Sequence, residues 1–447
     1  MRATTALLPL VLACTPARPP AAPSAAPAAS APPSRLAPLL ASVDAARLRR
    51  DVDTLSAFGT RHTLSDGSHA TRGIGAARRW ILAEMQHAGE GTALRAELEV
   101  HTQSADGKRV PHDVELDDVV AVLPGAMPEA AARRYVVVGH YDSRTADVMD
   151  AAGDAPGAND DASGTAVVLE LARVMARQRF DATLVFLATA GEEQGLYGAA
   201  LHARAAKDAG LDVRAVLNDD IVGDPTDLAG APHPGEIRVF SEGLPAAADG
   251  AAIAEIRKLA AESDSPSREL ARFVADVAAE EHTAVQPHLV FRADRFLRGG
   301  DHLAFAALGV PAVRFTTPFE HYDRQHTPAD VPAHVDASYL ADVARLQAAV
   351  LARLANAPAP PEGARLVTAE LANDTLVRWS ACKEPDVAGY EVVWRDTTSP
   401  TWQRVADVGR ALEARIPLSK DDRFFGVRAY DRDGNRSPVA FAKAAAQ

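Results

Sequence analysis

The chain reads as an α/β protein: a mixed, largely parallel sheet flanked by helices, followed by a small C-terminal β-sandwich. Three observations predict this. From Leu39 to Asn356, short apolar runs alternate with Ala-rich amphipathic helices, as in sheets covered by helices. Four of the runs, Tyr135 to Gly139, Thr183 to Ala188, Arg214 to Leu217 and Ala312 to Phe315, have the near-continuous apolar character of buried parallel strands. After Pro358-Ala359-Pro360-Pro361 the helical pattern stops and short alternating strands begin.

The 447 residues suffice for two or three folded units. With 47% hydrophobic and 24% charged residues, the composition is that of a globular protein. The formal net charge is −13, and no run of Lys and Arg is long enough to neutralise a phosphate backbone, so no nucleic-acid partner is expected. Some of the carboxylates are available to face metal ions. The two cysteines, Cys14 and Cys382, do not make a disulfide framework.

Taken in order, residues 1–14 read as an export signal, with Arg2 followed by a short apolar run. The run ends in Val11-Leu12-Ala13-Cys14, which resembles the lipobox of bacterial lipoproteins. Lipidation of Cys14 would anchor the protein to a membrane in the cell envelope; the alternative is simple secretion. Residues 15–38 are mainly Ala, Pro and Ser, the composition of an extended tether. No later segment has enough consecutive apolar residues to cross a bilayer.

Leu48 to Phe58 and Ile74 to Ala88 are helical in pattern, the second with Ile74, Ala77, Ile81, Met85 and Ala88 near a period of about 3.6. Glu97 to Thr102 and Asp118 to Leu123 read as strands of a hairpin. Each of the four parallel-strand runs is then followed by polar, reactive residues: Gly139-His140-Tyr141-Asp142, Gly191-Glu192-Glu193, Asn218-Asp219-Asp220, and His321-Tyr322 through His326. Ligands bind outside the carboxyl ends of strands in such sheets, so these clusters gather on one edge. The loop Gly157 to Gly164 joins them, because it precedes the helix Thr165 to Ala176.

Singly, each cluster has an ordinary reading. Asp160 suits a turn before a Ser N-cap, Glu192-Glu193 a charged first helical turn, Asp219 and Asp220 a cap, and either histidine a hydrogen-bonded loop. Together, His140, Asp160, Glu193, Asp220 and His326 make two imidazoles and three carboxylates, a mixture suited to zinc. If Asp160 bridges two ions, each has three protein ligands and open positions for water and substrate.

The motifs His-x-Asp (His140, Asp142), Asn-Asp-Asp-x-Ser-Gly (Asp160), Gly-Glu-Glu-x-Gly-x-x-Gly (Glu192, Glu193), Asn-x-Asp-hydrophobic-x-Gly (Asp220) and His-Thr-Pro-x-Asp (His326) occur in this order. Over Leu39 to Asn356 the chain thereby resembles the co-catalytic di-zinc exopeptidase family of secreted bacterial aminopeptidases, glutamate carboxypeptidases and, as relatives, glutaminyl cyclases. The resemblance implies two zinc ions, one on Asp160, Glu193 and His326, the other on His140, Asp160 and Asp220. It implies that Asp142 accepts the remaining ring N–H of His140 and that Glu192 is the general base and acid.

Two places depart from the family pattern. Some members have Tyr directly before the last His, to stabilise the oxyanion; here Gln325 stands there, and Tyr322 or Gln325 itself is the replacement donor. The segment Asp224 to Arg298 is long, with helical stretches Ala251 to Ala261 and Glu269 to Glu281; it is either a pocket wall or lid, or a structural insertion. After it, Gly299 to Phe305 resembles a segment found near the site in this family, and an N-capped helix starting at Asp301 explains it equally well.

The expected organisation is a signal over 1–14, a tether over 15–38, a peptidase domain over 39–356 and a sandwich over 357–447. The sandwich resembles a fibronectin type III domain, with Trp379 and Tyr390 in its core, and is either a spacer or a contact for protein or glycan. The function expected is an aminopeptidase acting on peptides. A carboxypeptidase or amidase of the same fold and a non-catalytic binding ectodomain are the alternatives.

Overall fold

The computed structural model describes residues 34–259, 261–369 and 372–445. The signal over 1–14 with Cys14, and the tether as far as residue 33, lie outside the described residues. The end expected for the tether, at Pro38, runs two residues into helix α1 (Ala37–Ala41), where Leu39 is buried in the core. No helix among the described residues is long and apolar enough to cross a membrane.

After α1 come α2 (Ala45–Ala57) and α3 (Gly73–Gly89). Asp44 caps α2 by accepting from the Ala46 N–H at 2.8 Å. The hairpin β1 (Arg95–Gln103) and β2 (Val114–Leu123) pairs antiparallel, followed by β3 (Arg133–His140). Helix α4 (Ser163–Met175) and strand β4 (Thr183–Thr189) are almost wholly buried. Next come α5 (Glu192–Gly195), α6 (Tyr197–Asp208) and β5 (Asp212–Asp219).

The segment 224–298 does more than insert. It supplies β6 (Glu236–Ser241), α7 (Gly250–Lys258), α8 (Pro266–Glu281) and β7 (Gln286–Val290), and its two strands extend the main sheet. α9 (His302–Ala306), β8 (Ala312–Thr316) and the long α10 (Ala337–Asn356) complete this part. The eight strands run β1-β2-β4-β3-β5-β8-β6-β7. β4, β3, β5 and β8 are mutually parallel, as expected, while β2 and β6 join them antiparallel. Helices α2, α4 and α10 pack together on one face, burying Leu48, Val52, Leu55, Leu169, Leu346 and Val350.

Beyond α10 two four-stranded sheets enclose a separate small core. One joins β9 (Arg365–Val367), β10 (Thr375–Arg378), β13 (Glu413–Ile416) and β16 (Lys443–Ala445); the other joins β11 (Val387–Asp396), β12 (Arg404–Asp407), β14 (Arg423–Asp431) and β15 (Ala440–Phe441). Trp379 and Tyr390 lie buried in it with ring centroids 5.8 Å apart, and Cys382 is a free thiol.

The described residues from Leu36 onward form one compact unit, so the sandwich is docked on the body. At the seam Trp402 Nε1 donates to Glu269 Oε2 at 3.0 Å, Arg272 Nε donates to the Pro400 carbonyl at 2.6 Å, and Arg395 reaches Asp264.

Candidate metal centre and its cleft

The parallel strands end together, and their successor residues converge. His140 is the last residue of β3, Asp220 follows β5, and Glu192 and Glu193 open α5 after β4. Asp160 sits in the irregular turn Ala158–Ala162 ahead of α4, where the Asp160–Asp161 peptide is cis. His326 comes from the loop after β8. The ligand atoms of Asp160, Glu193 and His326 lie within 4.8 Å of one another, and so do those of His140, Glu192 and Asp220. Asp160 spans the two groups: its Oδ1 is 3.3 Å from His140 Nε2, and its Oδ2 is 3.1 Å from His326 Nε2. Glu193 Oε1 is 3.2 Å from the same His326 nitrogen, and Asp220 Oδ1 is 3.9 Å from His140 Nε2.

The turn carrying Asp160 is braced from every side. Asp330 accepts from the N–H groups of Asn159 and Asp160, at 2.9 and 3.0 Å. Asp161, not Ser163, caps α4: its Oδ1 accepts from the Gly164 N–H at 2.9 Å, while the Ser163 hydroxyl turns back to the Asn159 carbonyl. Gly164 allows that approach, since a Cβ there would stand 2.4 Å from the Asp219 carbonyl oxygen. Arg61, fully buried, donates to the carbonyls of Tyr141 and Gly157 at 2.7 and 2.9 Å. Leu196, Ile221, Leu297 and His326, all beside this cleft, have φ near +60°. Such backbone is disfavoured for these residues and is held only where its surroundings impose it.

Several expected partners are placed differently from the expectation. The ring nitrogen Nδ1 of His140 meets the main-chain carbonyl of Asp142 at 3.2 Å, with the carboxylate farther away at 3.5 Å. The Asp142 carboxylate instead accepts from Thr63 Oγ1 and from the N–H groups of Glu192 and Glu193, tying the β3 end to α5. Tyr322 is not brought to the cluster: it is 61% exposed, with the Arg298 guanidinium 5.6 Å from its ring centre. The oxyanion donor expected there is not supported by its position, because the turn before His326 directs the ring outward. Gln325 donates from Nε2 to Asp160 Oδ2 at 2.7 Å, so its amide orients the bridging carboxylate. Asp301 is no cap either; its buried carboxylate accepts from Thr189.

Two arginines that sequence reasoning missed grip the acidic groups. Arg314, wholly buried on β8, puts Nη2 2.8 Å from Asp220 Oδ1 and donates from Nη1 to the Gly299 carbonyl at 2.8 Å. Arg144 Nε donates to Glu193 Oε2 at 2.8 Å. The only sequence signal for the first was a charge inside an apolar strand.

The sequence profile of Peptidase family M28 matches residues 118–351, the stretch that contains His140, Asp160, Glu192, Glu193, Asp220 and His326. The chain belongs to peptidase family M28. It is 42% identical over 421 residues to the "Probable zinc metalloprotease" of Leptosphaeria maculans, covering 92% of this chain and 97% of the relative. It is 44% identical over 425 residues to one of Pyricularia oryzae, covering 91% and 84%. These spans are too long to leave out the C-terminal sheets. Among solved structures, the Legionella pneumophila LapA aminopeptidase superposes with a TM-score of 0.51 at 18% identity, over 71% of this chain and 74% of that one. A Macrostomum lignano glutaminyl cyclase superposes with 0.52 at 16% identity, over 73% and 94%. At such identities the likeness is one of fold.

The donor set of this M28 zinc metallopeptidase fits zinc. Asp160 Oδ2 and Glu193 Oε1 stand 3.1 and 3.2 Å from His326 Nε2, so three possible ligand atoms converge on one place. The charges agree. Burial opposes a charged His140 ring, yet Glu192, Asp142, Asp160 and Asp220 outweigh it and hold its pKa well above the usual imidazole value. His326, against the same burial, is pushed up to about 9 by Asp160 and Glu193. Burial, with Glu193 and Asp220 adding to it, pushes Glu192 well above the carboxylate range. The clustered acids therefore demand positive charge, which divalent cations would provide.

Proposed function

We propose that this M28 peptidase is an exopeptidase that removes the N-terminal residue from peptides, using two zinc ions bridged by Asp160. Asp160, Glu193 and His326 would hold one ion, and His140, Asp160 and Asp220 the other. Zinc supplies, when bound, polarisation of the scissile carbonyl and a water acidic enough to react near neutral pH.

The observation that carries this reading is the position of Glu192. Its carboxylate lies with His140 and Asp220 in one group of ligand atoms within 4.8 Å of one another, and Asp160 Oδ1 stands 3.3 Å from His140 Nε2. With Asp160 as the third ligand beside His140 and Asp220, Glu192 would be left free to act as a base at the cluster. There Glu192 would take a proton from the attacking water and pass it to the leaving amine. Asp142 orients His140 and the Glu192 turn together, and Gln325 orients Asp160. The cleft above the cluster measures about 280 Å³, close to the lower end of ligand pockets, about 300–1,000 Å³.

The test is hydrolysis of amino-acid p-nitroanilides by the zinc-loaded protein, alongside N-acetylated counterparts and N-blocked peptides with free C-termini. Turnover of the free-amine substrates alone is expected. Release of C-terminal residues from blocked peptides would establish the carboxypeptidase reading instead. Absence of any turnover would leave the chain a binding ectodomain. Export and membrane anchoring through Cys14 are part of the same proposal, and palmitate labelling of wild type against Cys14→Ser checks them.

A further inference from the structure

The cleft carries more charge than the chemistry above uses. Apart from His326 and the four carboxylates assigned to metal or proton transfer, its charged lining groups are all arginines: Arg109, Arg144, Arg295 and Arg298. In a chain of net charge −13, four guanidiniums thus meet at one opening.

The four are held differently. Arg295 is saturated, donating to Asp294 Oδ1 and to the Gly299 carbonyl, both at 3.0 Å, and pairing with Glu320. Arg144 is taken by Glu193 and the Thr145 carbonyl. Arg109 gives one Nη to the Glu193 carbonyl at 2.8 Å. Arg298 has no hydrogen bond or ion pair among the described residues; its guanidinium lies over the Tyr322 ring and feels the charge of Glu320, whose own ion pairs are with Arg238 and Arg295.

Arg298 also sits where a contact would be made. Arg295 on one side and Gly299, held by Arg314, on the other pin a short arch over the cleft. Leu297 at its crest is fully exposed at φ +58°, a conformation that the anchors impose. Once the carboxylates are engaged by cations and by proton transfer, no acid of the lining is left to pair with a second substrate cation. A guanidinium fork matches a carboxylate with two parallel hydrogen bonds.

We propose that the cleft selects peptides presenting a carboxylate beside the scissile bond, and that Arg298, with Arg109, binds it. This rests on the exopeptidase reading above. The carboxylate has two possible sources, an Asp or Glu side chain or the C-terminus of a short peptide.

Three substrate pairs separate the sources: Leu-Glu-amide against Leu-Gln-amide, Leu-Gln against its amide, and Glu-p-nitroanilide against Gln-p-nitroanilide. Binding is measured by calorimetry with the zinc-loaded full chain carrying Glu192→Gln, so that affinity is read without turnover, and kcat/KM is measured on the Glu192 protein. At least one anionic member is expected to bind about tenfold tighter than its neutral partner, the order of one charge-assisted hydrogen bond. Adding Arg298→Gln should bring that ratio to near one, and Arg298→Lys should restore only part of it. Ratios near one in all three pairs, or a preference that survives Arg298→Gln, would overturn the proposal. A carboxylate preference in binding with no hydrolysis of any substrate would sink the exopeptidase reading and leave this one standing; hydrolysis without preference would do the reverse.

Discussion

Two regions of this molecule bury charge, and they do so to different ends. At the seam between body and sandwich, Asp264 and Glu269 are interleaved with Arg272 and Arg395, each acid facing a guanidinium. At the strand ends, Asp160, Glu192, Glu193 and Asp220 crowd one another and two imidazoles, and among the described residues guanidiniums reach only two of them, Arg144 to Glu193 and Arg314 to Asp220. Matched buried pairs hold parts in place. A surplus of buried acids is costly unless cations join it, so the same residue types mark a fastening in one place and a metal centre in the other.

The sharpest way to break this contrast is to remove a charge from each side. Glu192→Gln should lower turnover about 10²- to 10⁴-fold, the usual contribution of a general base, with zinc content and melting temperature unchanged. Loss of zinc in that variant would make Glu192 a ligand. Arg395→Ala should act in the opposite sense: stability falls by about 3–5 kcal/mol because Asp264 is left buried with less compensation, while KM measured below the new melting transition stays the same. Arg314→Met tests a residue that touches both roles. Without its contact to Asp220, zinc affinity measured by chelator competition should fall about 10- to 100-fold.

The smallest effect is one of pH. Burial pushes the Glu269 carboxyl up to about 7, partly offset by Arg272, from about 4.3 in an unfolded chain. Across that window the folded chain binds a proton that the unfolded chain has released. The stability this group contributes is therefore fully present below about pH 4.3 and is lost as pH rises through about 7. Glu269→Gln should flatten that part of the melting-temperature profile.

Much of the architecture was legible. The four apolar runs became the parallel centre of the sheet, and the motifs after them came together as their strand ends required. β6 and β7 were not legible, because Glu236-Ile237-Arg238 and Gln286-Pro287-His288 mix polar and apolar residues as partly exposed strands near a sheet edge do. The partners of Arg61 and Arg314 were not legible either, since nothing in a linear sequence tells which carbonyls and carboxylates from distant positions a buried guanidinium will meet. The roles expected of Tyr322, Ser163 and Asp301 rested on neighbours in sequence. The fold turns Tyr322 outward, sets Asp161 where a Ser163 cap was expected and spends the Asp301 carboxylate on Thr189, because side-chain direction in those turns depends on tertiary anchors such as Asp330.

The central claim is that Asp160 bridges two zinc ions. Zinc per chain, measured by mass spectrometry on purified protein dialysed against trace zinc, should be two in wild type and fall to one or none in Asp160→Asn, with hydrolysis lost alongside. A wild-type value of one at full activity, or two ions retained by Asp160→Asn, would contradict it.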